Sequence, residues 1–352
     1  MATLIFTGGG TAGHCTPNLA LLPYVKNDFD KIYYVGSENG IERQIIENAG
    51  LPYYGIPCAK LVRSFTLKNL AIPAKVISGI NKAGKILDEL KPDVIFSKGG
   101  YVSVPVVIAA KKRKIPVISH ESDYTAGLAN KIISPYCKKV LTSFPETAKQ
   151  FRNGEYVGSP LRKELKSADK AEALKSFGFA TKKPVLLITG GSQGAKAVNK
   201  IVREALPDLL PRFNVIHVCG KGNLSGANRI NGYFEAEFLN KIENAFACAD
   251  VCITRAGSNT LFELFSLKIP CVLIPLPKGN SRGDQVINAE YFQKQGLCTV
   301  LPQDVLTKDS LLYAVNCTYA NRFNIATNFA AHPVADASRK ISRIIADCKR
   351  EK

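Results

Sequence analysis

Two segments of the chain carry the same kind of chemistry. Leu4-Ile5-Phe6-Thr7 runs into Gly8-Gly9-Gly10-Thr11-Ala12-Gly13-His14, and Leu186-Leu187-Ile188-Thr189 runs into Gly190-Gly191-Ser192-Gln193-Gly194-Ala195. Each is a short apolar run that breaks into a glycine loop and then a helical pattern. Glycines let the backbone approach a phosphate, and a helix start offers unpaired N–H groups and a positive dipole end. Two copies predict two such domains and a reaction between two substrates, at least one of them phosphorylated. The second loop lacks the Gly-Lys-Ser/Thr ending of a P-loop, which disfavours ATP hydrolysis and suits a diphosphate that is only held. A dinucleotide reading of the first loop needs an acidic residue at the end of the second strand. That strand ends Tyr34-Val35-Gly36-Ser37, with Glu38 just beyond, so NAD binding is disfavoured. His14 stands where a helix should begin, either aimed at a ligand or bonded only to backbone.

Two later segments add polar groups. Arg255-Ala256-Gly257-Ser258-Asn259-Thr260 leads through Leu261 and Phe262 to Glu263, whose carboxylate could accept both hydroxyls of a ribose or simply face solvent. The Gly/Pro-rich loop from Pro275 to Gly283 is followed by Asp284, Gln285 and Asn288, which suit sugar hydroxyls.

Alternating strand and helix signals must position these loops. Strand patterns fall at 3–7, 31–35, 53–57, 93–97, 116–119, 139–142 and 155–157, then near 184–189, 214–219, 250–254, 270–274 and 298–301. Helical patterns such as 39–48 and 102–113 lie between them. This alternation predicts doubly wound parallel sheets, whose ligands sit at the carboxyl ends of the strands. Gly158-Ser159-Pro160 breaks the pattern, and 335–350 reads as a closing amphipathic helix with Ile341, Ile344 and Ile345 on one face. The expected division is residues 1–160 plus the closing helix 335–352, and 161–334.

The bulk properties exclude several classes. The 352 residues are 46% hydrophobic and 22% charged, as in a globular protein. No apolar run reaches the roughly 18 residues of a membrane span. No secretory leader is readable, which predicts a cytoplasmic location. The ten cysteines include no Cys-x-x-Cys pair, so they read as reduced core residues rather than a zinc site or disulfide framework. The net charge of +18 is spread over both halves and would attract any anionic partner. No helix-turn-helix, RRM or KH signature and no Trp accompany it, so nucleic acid is not an expected partner.

Together the motifs resemble the MurG family of N-acetylglucosaminyltransferases. The matching signatures are Gly9–His14, Gly99–Pro105, His120-Glu121 with Ala126–Lys131, Val157–Arg162, Gly190–Ala195, Arg255–Glu263 and Arg282–Ala289, in the family's order and across nearly the whole chain. The resemblance implies a GT-B fold, two Rossmann-like domains facing an interdomain cleft. It also implies metal-independent, inverting transfer of GlcNAc from UDP-GlcNAc to the C4 hydroxyl of the muramoyl sugar of lipid I, giving lipid II, with no cofactor. Carried over by motif, donor-binding residues are Thr11, Gly13, Arg162, Gly191, Ser192, Gln193, Gly194, Leu239, Ser258, Asn259, Thr260, Glu263, Asp284 and Gln285. Within that set Glu263 would hold the ribose and Leu239 would lie where uracil is read. Gly10, Tyr101 and Asn130 would line the acceptor side. The acceptor hydroxyl needs a general base; His14 is the first choice, with Glu121 or Asp123 second. Ala12 stands for a common glycine, Ser159 for asparagine, Asp284 for glutamine and Asp123 for asparagine.

A lipid-linked acceptor implies work at the membrane surface. Between Glu47 and Asp88 no acidic residue occurs. Lys60, Arg63, Lys68 and Lys75 alternate there with Phe65, Leu67, Ile72 and Ile77, the composition of an interfacial segment. The expected location is therefore the cytoplasmic face of the cell membrane, peripheral, on an anionic leaflet. A core helix with a solvated basic face is the plainer reading. Rival activities on a related fold are glycosylation of another lipid such as diacylglycerol, or UDP-GlcNAc 2-epimerisation; a non-catalytic UDP-sugar sensor is the third alternative.

Overall fold

The computed structural model describes residues 1–59, 72–179, 183–191, 194–226, 230–279, 282–334 and 336–349. The chain forms two compact units, Met1–Arg162 with Asp336–Lys352, and Lys163–Ala335.

The first unit is built on seven parallel strands: β1 (Thr3–Thr7), β2 (Lys31–Ser37), β3 (Tyr53–Ile56), β4 (Val94–Ser97), β5 (Val117–Glu121), β6 (Lys139–Thr142) and β7 (Gly154–Tyr156). Their order is β3-β2-β1-β4-β5-β6-β7, so the winding reverses between β1 and β4. Alternate residues of each strand serve opposite faces. Ile5, Val35, Ile95, Val117 and Val140 meet Ala83, Ile86 and Leu87 of the helix Ile72–Leu90 and Val106 and Val107 of Ser103–Lys112. Leu4, Phe6, Tyr34, Val94, Phe96 and Ile118 meet Leu21 and Val25 of the helix Thr16–Val25, and Ile341 and Ile345 of Ser338–Asp347. The last helix is therefore part of the first core, and both sheet faces are covered, which explains the nearly continuous apolar strands.

The second unit has six parallel strands: β8 (Val185–Thr189), β9 (Asn214–Val218), β10 (Tyr233–Ala236), β11 (Val251–Thr254), β12 (Cys271–Leu273) and β13 (Cys298–Val300). They run β10-β9-β8-β11-β12-β13, reversing between β8 and β11. On one face Val198, Val202, Leu206 and Leu209 of the helix Lys196–Leu209 pack with Leu311 and Val315 of Lys308–Ala320. Elsewhere in this unit the Phe265 ring contacts Phe292 and Phe329 with centroids 4.7 and 5.5 Å apart. Strand β10 has no counterpart in the sequence reading, since its four residues include the charged Glu235 among apolar neighbours.

All ten cysteines are free thiols, eight of them buried. Among the described residues no helix is long and apolar enough to cross a membrane. The helix Ile72–Leu90 buries Gly79, Ala83, Ile86 and Leu87 and exposes Lys75, Ile77, Lys82 and Lys85. Ile72 is half-buried; Lys60, Arg63, Phe65, Leu67 and Lys68 lie outside the described residues.

Candidate functional site

In the first unit, the loops after β1 and β4 meet at the point where the winding reverses. Glu42, fully buried in the helix Ile41–Asn48, fixes the first of them. Its carboxylate accepts hydrogen bonds from the Ser37 N–H (3.1 Å), the Ser37 hydroxyl (2.5 Å) and the Gly10 N–H (3.2 Å). One buried side chain thus ties the end of β2 to the glycine loop. Sequence reasoning missed Glu42, because an acidic residue in a helix's first turn ordinarily signals only a favourable dipole contact.

His14 lies in a short 3-10 turn, Ala12–His14, with its Nδ1 2.9 Å from Thr11 Oγ1, which orients the ring. Gly100 sits beneath it at φ +79°. A Cβ there would come 2.4 Å from the Gly9 carbonyl oxygen and 3.4 Å from His14 Cγ, so only glycine fits between the two loops. A methyl on Gly10 would lie 2.5 Å from the Tyr101 ring. Burial pushes the Tyr101 phenol up, and the Glu42 charge adds to this. Gly10, His14 and Tyr101 are thus brought together.

The turn after β5 is organised by buried polar groups. His120 is fully enclosed, with Nε2 2.9 Å from the Gly158 carbonyl. A carbonyl only accepts, so Nε2 carries the hydrogen and Nδ1 accepts from Lys98 Nζ at 2.5 Å. Burial, reinforced by the Lys98 charge, holds His120 well below the usual histidine range and keeps it neutral. Glu121 accepts from the Asp123 N–H (3.1 Å), the Gly127 N–H (2.8 Å) and Asn130 Nδ2 (2.9 Å). Asn130 Oδ1 in turn accepts from the Ser119 hydroxyl at 2.8 Å. Both oxygens of Glu121 are occupied and the side chain is buried, so it shapes this turn. That differs from the general-base role considered for it above. Asn130 is likewise a buried brace, whereas Asp123 is partly exposed.

In the second unit, Gly194 adopts φ +72°, and a Cβ there would stand 2.1 Å from the Cys219 carbonyl oxygen. Its N–H donates to the Gly191 carbonyl at 2.9 Å. The Cys219 carbonyl is itself held by Asn199 Nδ2 at 2.8 Å. From there a buried chain runs through His217 (Nε2 to Asn199 Oδ1, 3.0 Å), the Tyr233 hydroxyl (2.9 Å from Nδ1) and Glu235 (3.0 Å). Glu235 also accepts from Arg203 (2.7 Å) and from the Ser225 N–H (2.8 Å) and hydroxyl (2.7 Å). Burial alone would raise the Glu235 carboxyl, but the bonds from Ser225, Arg203 and Tyr233 outweigh it and hold it at about 2. Burial, with Arg203, lowers His217 to about 4. No motif marked these residues. Ser192 and Gln193 lie outside the described residues.

Across the reversal point, Arg255 donates to the carbonyls of Ile274 (2.9 Å) and Pro275 (3.4 Å) and to Gln303 Oε1 (2.6 Å). It clamps the end of β12. The helix Ser258–Ser266 starts after Gly257 with no side-chain cap; Ser258 is buried, while Asn259, Thr260 and Glu263 are partly exposed. Asn288 Nδ2 donates to the Ala256 carbonyl at 3.2 Å, joining the helix Asp284–Lys294 to this loop. Gln285 Oε1 accepts from the Leu276 N–H at 3.0 Å, and Asp284 pairs with Arg282 at 3.4 Å. Leu239 follows β10, partly exposed; Arg162, also partly exposed, ends the first unit's main segment.

Two doubly wound parallel sheets, each with a glycine loop where the winding reverses, are the architecture of the GT-B glycosyltransferases. Solved structures of similar fold include Acinetobacter baumannii MurG (TM-score 0.76, 24% identity, 99% of this chain and 100% of that one) and the calicheamicin glycosyltransferase CalG4 (TM-score 0.70, 15% identity, 99% and 97%). Residues 4–142 match the glycosyltransferase family 28 N-terminal domain, and 185–341 match its C-terminal domain. Relatives from Clostridium botulinum and Lachnospira eligens are each 46% identical, over 349 and 351 residues, covering 98% and 99% of this chain and 99% of theirs. Both are named UDP-N-acetylglucosamine--N-acetylmuramyl-(pentapeptide) pyrophosphoryl-undecaprenol N-acetylglucosamine transferase. The chain belongs to the MurG family, within glycosyltransferase family 28.

Proposed function

We propose that this chain transfers GlcNAc from UDP-GlcNAc to the C4 hydroxyl of the muramoyl sugar of lipid I, forming lipid II in peptidoglycan synthesis, with inversion and without a metal ion. The observation that carries this reading is the pairing of full-length relatives of that name with a glycine loop at each reversal point. The second unit binds the donor. Gly191, Ser192, Gln193 and Gly194 cradle the diphosphate; in the first unit Thr11, Gly13 and Arg162 are the candidate donor contacts. The uncapped start of Ser258–Ser266, with Asn259 and Thr260, supplies N–H groups that stabilise the leaving UDP. Glu263 takes the ribose hydroxyls, Leu239 flanks the uracil, and Asp284 and Gln285 meet the sugar.

The first unit binds the acceptor at Gly10 and Tyr101, with Asn130 bracing the loop behind Gly99. His14 accepts the proton of the attacking hydroxyl, its ring set by Thr11; Asp123 is the second candidate. The exposed Lys75, Ile77, Lys82 and Lys85, with the preceding basic and apolar segment, bring the protein to the anionic cytoplasmic leaflet.

The test is transfer of radiolabel from UDP-GlcNAc into lipid, with lipid I in anionic vesicles and EDTA present. Labelled lipid II supports donor, acceptor and metal independence together. Label in another lipid refutes the acceptor. Epimerised donor without an acceptor refutes transfer altogether and favours the epimerase reading.

A further inference from the structure

Lys98 directly follows β4, at the reversal point of the first sheet, beside Gly8 of the first glycine loop. Only 2% of it is exposed, and lysine is rarely enclosed to this degree. Its Nζ donates to His120 Nδ1 at 2.5 Å and to Ser122 Oγ. Both partners are neutral. The nearby negative charges are Glu121 and Asp123, on β5 and its turn. From the other neighbouring elements it meets the Gly8 backbone, and the Gly158 carbonyl lies beyond His120. Of the two carboxylates, Glu121 is committed to the Asp123 and Gly127 amides and to Asn130. Asp123 is the one with access to solvent.

We propose that Lys98 is a positioning residue for the transfer: its ammonium, held between His120 and Ser122, orients the Ser122–Asp123 turn beside the acceptor loop. This rests on the function proposed above. Burial pulls Lys98 down to about 7, against the upward pull of Glu121 and Asp123. The contrast with the second unit supports a role beyond bracing. Arg255 holds the equivalent place after β11 and clamps carbonyls there, but an arginine keeps its proton at any working pH. Lys98 can lose its proton, and the turn then loses its positive charge.

The experiment uses the full chain on anionic vesicles carrying a lipid-linked muramoyl acceptor. Transfer by wild type, Lys98→Met and Lys98→Arg is followed from about pH 5.5 to 9. In Lys98→Met, kcat falls at least about tenfold while KM for UDP-GlcNAc stays within about twofold. The alkaline limb near neutrality disappears in both variants, and Lys98→Arg, which keeps the positive charge, retains more of the wild-type kcat than Lys98→Met does. Asp123→Asn lowers kcat in wild type and adds little in Lys98→Met. Wild-type kcat and pH profile in Lys98→Met, or full additivity with Asp123→Asn, overturns the proposal. The thermal unfolding profile of the full chain checks folding, and if Lys98→Met does not fold, Lys98→Arg and Asp123→Asn carry the test. A lysine 13Cε NMR titration of the substrate-free protein, assigned with Lys98→Arg, reads the ionisation without the reaction. A midpoint that coincides with the alkaline limb of kcat supports the proposal; a wild-type alkaline limb that falls well away from that midpoint overturns it. Absence of transfer by wild type overturns the proposed reaction instead, and with it the duty assigned to Lys98.

Discussion

Replacing Gly194 with alanine tests how the second glycine loop is held. At φ +72° an added Cβ brings a backbone cost of about 1–2 kcal/mol. It also lands 2.1 Å from the Cys219 carbonyl oxygen, well inside the 3.4–4 Å of an ordinary contact. That oxygen cannot retreat cheaply, because Asn199 holds it at 2.8 Å and His217 holds Asn199. Breaking the Asn199 bond leaves a buried amide unpaired, at about 1–3 kcal/mol. The total for Gly194→Ala is about 2–5 kcal/mol. Gly191→Ala is the matched control: φ is +81°, but no heavy atom lies within 4 Å of the added Cβ. It carries only the backbone cost. The assay is calorimetric unfolding of both variants, following the transition that UDP-GlcNAc raises. With about 2–4 °C per kcal/mol for a unit of this size, Gly194→Ala unfolds several degrees below Gly191→Ala. Equal midpoints would refute the claim that the loop is seated on the Cys219–Asn199–His217 chain.

Three further outcomes are expected. Glu263→Ala weakens UDP-GlcNAc binding by about 2 kcal/mol, roughly thirtyfold, from the loss of charge-assisted bonds to the ribose; unchanged calorimetric affinity removes that assignment. His14→Ala lowers kcat by about 10²–10⁴ with donor affinity nearly intact, and near-normal turnover would pass the base role to Asp123. The buried chain in the second unit makes stability fall with acid in two windows. His217 is held at about 4 against an ordinary 6.5, so the unfolded chain binds its proton first and stability drops between those values. Glu235 is held at about 2 against 4.5, so its contribution is complete above 4.5 and lost as pH falls towards 2. Urea unfolding across pH shows this: Glu235→Gln abolishes the lower window and His217→Gln the upper one, and an unchanged slope in either variant refutes the corresponding assignment.

The parts legible in the sequence are those with a local signature. Apolar runs ending in glycine located β1 and β8, and the alternation of strand and helix implied parallel sheets. The helix ending at Asp347 showed its face through Ile341 and Ile345. The illegible parts depend on distant partners. Glu42 reads as a helix-start acid until Gly10 and Ser37 close on it from elsewhere in the chain. Glu121 and Asn130 read as cleft residues, and folding turns both inward onto each other and the following turn. Lys98 carries no motif of its own; its meaning comes from His120 and Ser122, more than 20 residues away. Strand β10 was hidden because Glu235 breaks its apolar run, and the reason for that charge is Arg203.

The final helix has a consequence for synthesis. A ribosome makes residues 338–347 after the second unit, yet Ile341 and Ile345 complete the layer over Leu4 and Phe6 of the first. The second unit has its whole core once residue 335 has emerged. The first unit waits with an uncovered apolar sheet face, so folding order on the ribosome inverts chain order. A chain cut before residue 338 would present that face to chaperones and proteases.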